Sequence, residues 1–205
     1  RLFAFYLATS CSTLIHATTG GHEKIEILGL DKADHKIYFT RNYYDESDRP
    51  PTLYYFSLRT KNSHIPIEVK SIYKNINDED YFIQNSKIKK EISKIQKRLT
   101  PVKPLIQKKA NILTLKNRSE LGHFWLNATE LSITKYTQEY AVINTPFKSK
   151  NQSFVSYSTP KINILNLYST PETKSKKYQI AIIEYLGIPT EFGYMIEDAV
   201  LLESP

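Results

Sequence analysis

Apolar residues along this chain follow two spacings, and the switch between them divides it into three parts. From Glu23 to Leu58 they alternate with polar residues, the period of a half-buried strand. Glu23 to Leu30 predicts a strand with Ile25 and Ile27 on one face and Leu28 and Leu30 on the other. Lys36 to Tyr44 sets Ile37 and Phe39 against Tyr38 and Thr40. Leu53 to Leu58 returns after a loop at Asp45 to Pro51. Asp31-Lys32-Ala33-Asp34 supplies turn chemistry, because an aspartate side chain accepts from backbone N–H groups just ahead of it. By this alternation Ile37, Phe39, Leu53 and Tyr55 pack inward, and tyrosines on the other face keep their hydroxyls in water. Those outer tyrosines would also serve as an aromatic platform for a sugar ring or a peptide. Ile65 to Tyr73 predicts a further strand, near an edge because Pro66 has no N–H to donate.

The period changes after Asn77-Asp78. Tyr81, Ile88, Ile92, Ile95 and Leu99 recur at steps of three, four and seven, which is one helix stripe. Asn77 or Asp78 caps a helix running from about Asp78 to Leu99, and Thr100-Pro101 stops it. A basic, proline-containing connector follows from Lys103 to Lys109. Alternation then resumes in short pieces: Ile112–Leu115, Glu130–Tyr136, Tyr140–Asn144, Phe154–Ser158, Ile162–Leu167, Tyr178–Leu186 and Phe192–Leu202. Gly187-Ile188-Pro189-Thr190 makes a hairpin of the last two. The expected fold is mainly β, an antiparallel meander with sandwich-like sheets and one inserted amphipathic helix at about 78–99.

Lys36-Ile37-Tyr38-Phe39-Thr40 after a polar turn, then Leu53-Tyr54-Tyr55-Phe56-Ser57-Leu58, resembles one blade of a TolB-like or YWTD-like β-propeller. The resemblance covers Ile27 to Arg59. A propeller repeats at least four blades of about forty residues. Here the helix interrupts any such period, so the resemblance implies a partly propeller-like meander and carries over no functional residue.

Charge sharpens the picture. The net charge is +7, yet Lys87, Lys89, Lys90, Lys94, Lys97, Arg98, Lys103, Lys108 and Lys109 oppose Glu91 alone between positions 87 and 109. The rest of the chain is close to neutral, so the basicity belongs to one element. Lys87, Lys90, Lys94, Lys97 and Arg98 are the candidate contacts to an anionic lipid or glycan surface. Nucleic acid is not an expected partner, because the first residues point to export.

Those residues, Arg1 to Ala17, combine a basic start, an apolar run and small residues, the pattern of a secretory signal peptide. Ala8-Thr9-Ser10-Cys11 also resembles a lipobox, the alternative being a lipoprotein anchored through Cys11. The expected organisation is a leader at 1–17 and one β-rich domain at 18–205, periplasmic or secreted, with no transmembrane span in the mature chain.

The chain carries few marks of catalytic or metal chemistry. One cysteine excludes an internal disulfide framework. Asp45-Glu46-Ser47-Asp48 fails as an EF-hand, since Pro50 and Phe56 stand where glycine and glutamate belong. His22, His35, His64 and His123 have no ligand spacing, so no metal or cofactor is expected. No nucleophile elbow or phosphate-binding loop is present. Glu184 continues the alternation of Ile180 and Ile182 toward their buried face, and Glu191 and Glu197 lie on the partner strand. Paired carboxylates there would suit glycoside cleavage. Asn117-Arg118-Ser119, Asn127-Ala128-Thr129 and Asn151-Gln152-Ser153 fit the glycosylation sequon. The leading expectation is an exported, non-catalytic structural or binding protein. The alternatives are an envelope-associated protein docking its basic helix, and a glycan hydrolase using Glu184 with Glu191 or Glu197.

Overall fold

The computed structural model of the chain describes residues 21–45, 49–74, 81–105, 110–126, 129–171, 177–188 and 193–204. The expected leader with Cys11, the caps Asn77 and Asp78, Lys108, Lys109, Glu191, the Asn127 sequon, the loop tip 46–48 and the Pro189-Thr190 turn lie outside these residues.

The chain is mainly β with one α-helix, as its periodicity indicates. It runs β1 (His22–Asp31), β2 (Lys36–Tyr44), β3 (Thr52–Ser57) and β4 (Ile67–Glu68), then a 3-10 turn at Lys70–Tyr73 and α1 (Tyr81–Gln96). There follow β5 (Lys103–Pro104), β6 (Asn111–Leu126), β7 (Thr129–Asn144), β8 (Phe147–Ser149), β9 (Gln152–Tyr157), β10 (Ile162–Ser169), β11 (Tyr178–Ile188) and β12 (Tyr194–Glu203). The main path of the sheet is β4-β3-β2-β1-β12-β11-β10-β5, and β7 links β6, β8 and β9 beside it. All pairings are antiparallel except that of β1 with β12, where the first and last strands run parallel.

The sheet curls so that its halves face one another, and three apolar layers result. Between the halves, Ile37, Phe39 and Phe56 from β2 and β3 meet Ile180, Ile182 and Leu201 from β11 and β12. On the outer face of β1–β3, Leu28, Tyr38 and Leu53 are covered by Ile88 and Ile92 of α1. On the other face of β10–β12, Leu167, Ile183 and Val200 pack against Tyr140, Val142 and Phe154 of β7 and β9. Strands β2 and β3 are therefore covered on both sides, and β1 from Leu28 onward; the outward His22, Lys24 and Glu26 at the start of β1 are exposed. The expected wet face of tyrosines is therefore present only in part: Tyr38 is buried under the helix, whereas Tyr44, at the end of β2 on the same face, is exposed.

Strand register corrects three expectations. A bulge between Ile27 and Gly29 shifts the alternation of β1, so Leu30 joins Ile27 on the inner face and only Leu28 turns outward. The β2–β3 hairpin pairs Ile37 with Phe56 and Phe39 with Tyr54, whereas Tyr38 faces Tyr55 and Thr40 faces Leu53. Leu53 and Tyr55 thus belong to the helix-covered face and not with Ile37 and Phe39, because loop length fixes which residues oppose each other. Ile65 to Tyr73 forms only a two-residue edge strand before turning into the 3-10 segment. Its Tyr73 hydroxyl accepts from the Leu53 N–H at 2.8 Å and donates to the Pro51 carbonyl at 3.0 Å. Burial pushes that phenol up to about 12.

The end of α1 is stitched to β1. Thr100 and Leu30 exchange backbone hydrogen bonds at 2.8 and 2.9 Å, and the Arg98 side chain reaches Asp31 at 3.0 Å. Gly29 is required at this crossing. Its φ is +143°, and a Cβ there would stand 2.7 Å from the Thr100 carbonyl oxygen. Asp31 also accepts from the N–H groups of Ala33 and Asp34 at 3.1 and 3.2 Å, the turn its sequence indicates.

The segments expected as short strands near Ile112, Glu130 and Tyr140 are two 16-residue strands, β6 and β7, paired along their length. The polar run Lys116–Gly122 reads as a break in alternation. Cross-strand ion pairs, Lys116–Glu139 at 3.1 Å and Lys135–Glu120 at 2.7 Å, hold it in the ladder instead.

Phe39 lies 5.1 Å from the Phe56 ring and 5.6 Å from the Tyr54 ring within the inner layer. Phe39→Ala is expected to cost about 3–5 kcal/mol, the usual penalty for truncating a buried aromatic. Leu121→Ala, on the exposed part of β6, should stay within about 0.5 kcal/mol. Urea denaturation of both variants checks this, and similar midpoints would contradict the layer assignment.

Candidate functional site

Two places concentrate charged side chains. The first is the seam where β1 meets β12. These strands share one bridge, Glu23 with Ile196. At the next step the Ile25 N–H donates not to a strand carbonyl but to the Glu197 carboxylate, at 2.8 Å. Arg41, opposite Ile25 on β2, continues the inward alternation of Ile37 and Phe39. Its guanidinium donates to Glu23 at 2.6 Å and to Asp198, whose other oxygen accepts from the Tyr185 hydroxyl at 2.8 Å.

The electrostatics follow from this geometry. Burial works against the Arg41 charge, but Asp198 and Glu23 more than offset it, and the guanidinium is held more firmly protonated than usual. Burial, with Asp198 adding to it, raises the Tyr185 and Tyr140 phenols. Arg41 spans two carboxylates with the two arms of its fork, which a lysine point charge would not reproduce. This cluster was not found from the sequence. The signal was present, because an arginine two positions beyond Phe39 on a buried face demands a partner.

Beside the seam lies a cavity of about 220 Å3 lined by His22, Glu23, Lys24, Glu184, Met195 and Glu197. Glu184 and Glu197 are direct cross-strand neighbours, so two of the three carboxylates singled out from the sequence come together. Glu197 is half-buried, and desolvation raises its pKa, with the Glu184 charge adding to the effect. The Ile25 N–H and Lys24 oppose the rise. His22 accepts the Met195 N–H at Nδ1, at 3.1 Å, and sets its ring edge-on to Tyr194. Among the described residues no group of three or more His, Cys, Asp or Glu is arranged to hold a metal ion. The remaining histidines are dispersed: His35 sits in the β1–β2 turn with φ 54°, and His123 pairs with Glu130 at 2.9 Å on the surface.

The second place is the outer face of α1. Its stripe of Ile88, Ile92, Ile95 and Leu99 packs down on the sheet, while the Tyr81 side chain is outside the described set. At 3.6 residues per turn, Lys87, Lys90 and Lys94, with Lys97 just past the helix end, span roughly 80° of arc centred about 150° round from that stripe. All four are exposed, as is Ile83, which falls on the same arc at the start of the helix. Lys94 pairs with Glu91 at 2.6 Å. Arg98, expected with the lysines, is turned back to Asp31 and anchors the helix end. Of the acidic loop after β2, Asp45 pairs with Arg49 at 2.8 Å. The sequon residues Asn117 and Asn151 are exposed.

No family model matches the chain, and neither the curated proteins nor the solved structures contain a significant match to it.

Removing Arg41 would leave Glu23 and Asp198 half-buried without their shared cation. Arg41→Ala should cost about 2–4 kcal/mol, below the figure for a fully buried pair because part of the site remains wetted. The neighbouring Glu197 predicts a pH dependence. Its folded pKa is raised above the unfolded value of about 4.3. The stabilisation it provides is therefore complete below that value and is lost as pH rises through the folded pKa. Wild type should lose stability relative to Glu197→Gln as pH rises above that unfolded value, read from paired melting curves across a pH series. A constant difference would contradict the burial of this carboxylate.

Proposed function

We propose that this protein is an exported, non-catalytic binding module that engages an anionic lipid surface through the outer face of α1. The observation carrying the reading is the arc of Lys87, Lys90, Lys94 and Lys97, exposed and turned away from the stripe that fixes the helix to the sheet. Lysines are compact, strongly hydrated point charges, suited to a diffuse anionic surface more than to bidentate recognition of one carboxylate or phosphate. Ile83, 43% exposed on the same arc, adds an apolar group that shallow insertion among headgroups would bury. The packing of Ile88 and Ile92 on Leu28, Tyr38 and Leu53 supports the reading too, because it fixes the helix against the sheet with its lysines outward. Among the described residues no helix is long and apolar enough to cross a membrane, so contact through α1 would be peripheral.

A second reading, a glycan hydrolase centred on Glu184 and Glu197, draws on their cross-strand placement and the raised pKa of Glu197. Two features favour it less. One oxygen of Glu197 is engaged by the Ile25 N–H. The adjoining cavity, about 220 Å3, is below the roughly 300–1,000 Å3 of most ligand sites.

Each lysine near an anionic surface contributes about 1 kcal/mol at low salt, and screening within about 10 Å at 0.1 M weakens it. Lys90→Gln/Lys94→Gln/Lys97→Gln keeps helix propensity, so the fold should persist while binding falls steeply. Flotation with phosphatidylserine vesicles across a salt series checks this, with an acidic polysaccharide as the competing arm. Salt-insensitive binding, or equal binding by the triple variant, would reject the helix face. Binding to the polysaccharide alone would reassign it to glycan.

A further inference from the structure

Among the described residues, β6 is the longest strand with a single partner. This strand is sixteen residues long, and its only partner among them is β7. In an antiparallel pair each strand directs the N–H and C=O of alternate residues to its other side. From Lys116 to Leu126 no other strand among the described residues pairs with that side. Open edges of this length are usually blunted by proline, by a bulge, by charged side chains or by being short. Lys116 to Leu126 has no proline and no bulge, and pairs without interruption with Thr129 to Glu139.

The side chains along this edge form a self-complementary code. Lys116, Arg118, Glu120 and Gly122 share one face of β6, and Asn117, Ser119 and Leu121 share the other. Lys116 is paired to Glu139 and Glu120 to Lys135 across β7, whereas Arg118 faces Thr137 and carries no ion pair among the described residues. Consider a second copy laid antiparallel on the edge about a twofold axis normal to the sheet. Centred on Asn117, it would oppose Lys116 with Arg118. Centred on Arg118 it would oppose that arginine with itself, and centred on Glu120 it would oppose two glutamates. Centred on Ser119, each Arg118 meets the Glu120 of the other copy, Lys116 meets Gly122, and no like charges are opposed. The row across the junction then reads Lys135, Glu120, Arg118 of the second copy, alternating in sign.

We propose that β6 pairs edge to edge with β6 of a second copy of this chain, antiparallel and centred on Ser119. The arrangement sets β9-β7-β6 of each copy edge to edge as a run of six strands, continuous through β8 with the rest of each copy's sheet. It places part of Leu121, 64% exposed in the single chain, against Asn117 of the second copy. It is isologous, so it closes at two copies and does not propagate into a fibre. It rests on the open edge and its charge order, independently of what α1 binds. The central Asn117-Arg118-Ser119 sequon is a built-in antagonist, since a glycan on Asn117 would stand in the junction.

Sedimentation velocity on unglycosylated full-length chain tests it, with two single charge reversals. Arg118→Glu opposes carboxylates at both symmetry-related positions, and Glu120→Arg opposes guanidiniums there. Each should weaken dimerisation about tenfold or more, since like charges directly opposed across strands repel. An equimolar mixture of the two variants restores both opposite-charge pairs and should dimerise, with unchanged far-ultraviolet circular dichroism in all samples. A wild type that stays monomeric to high micromolar concentration would overturn the proposal. So would reversals that dimerise as wild type does, or a mixture no better than its components.

Discussion

One backbone bridge joins the two halves of the curled sheet, and the layering follows from what happens just past it. At Glu23 and Ile196 the first and last strands run side by side; two residues on, β1 has left its neighbour and Glu197 fills the space with a carboxylate. That departure lets the inner face of β1–β3 lie over the face of β11 and β12 that bears Ile180, Ile182 and Leu201. A sheet that stayed flat would leave both faces wet. The polar cluster at the seam is the cost of the crossing, because strands that separate leave donors and acceptors that need other partners. Glu197 supplies one, to the Ile25 N–H, and Arg41 ties the flanking carboxylates of Glu23 and Asp198 together.

A second constraint concerns cover. Strands β1–β3 are apolar on both faces, Phe39 and Phe56 inward, Tyr38 and Leu53 outward. One partner sheet satisfies half of that requirement and α1 the other half. The helix is thus not an appendage to a β protein. Its apolar stripe closes the outer core, and Thr100 and Arg98 lock its end to Leu30 and Asp31. The lysines that give the chain its net charge are displayed on a support fixed at its far side.

Legibility in the sequence tracked the range of the interactions involved. Period alone was enough for β2, whose limits match those expected, and for the stripe of α1. Turn chemistry at Asp31 was equally local. What escaped was set by partners distant in sequence. The bulge near Gly29 is dictated by Thr100 passing overhead, so Leu30 could not be placed from its own neighbours. The middle of β6 is too polar to look like a strand, and becomes one because Lys116 and Glu120 find charges on β7. In the candidate site, the cross-strand approach of Glu184 and Glu197 was readable from alternation. Arg41 and Asp198, on strands at opposite ends of the chain, were not joined by anything short of the fold.

The parallel seam also bears on the order in which this chain becomes protected during folding. The pair that closes it, Ile25 and Glu197, is separated by 172 positions. Contacts of that separation are slow to form, since a long loop must be closed before they contribute. Until β11 and β12 arrive, Ile37, Phe39 and Phe56 have no cover, whereas α1 reaches the outer face early, by a short local excursion. The nascent chain is therefore expected to pass through a stage in which helix and meander are docked and one aromatic surface stands open. At that stage a chaperone that recognises extended apolar segments would have one well-defined place to bind.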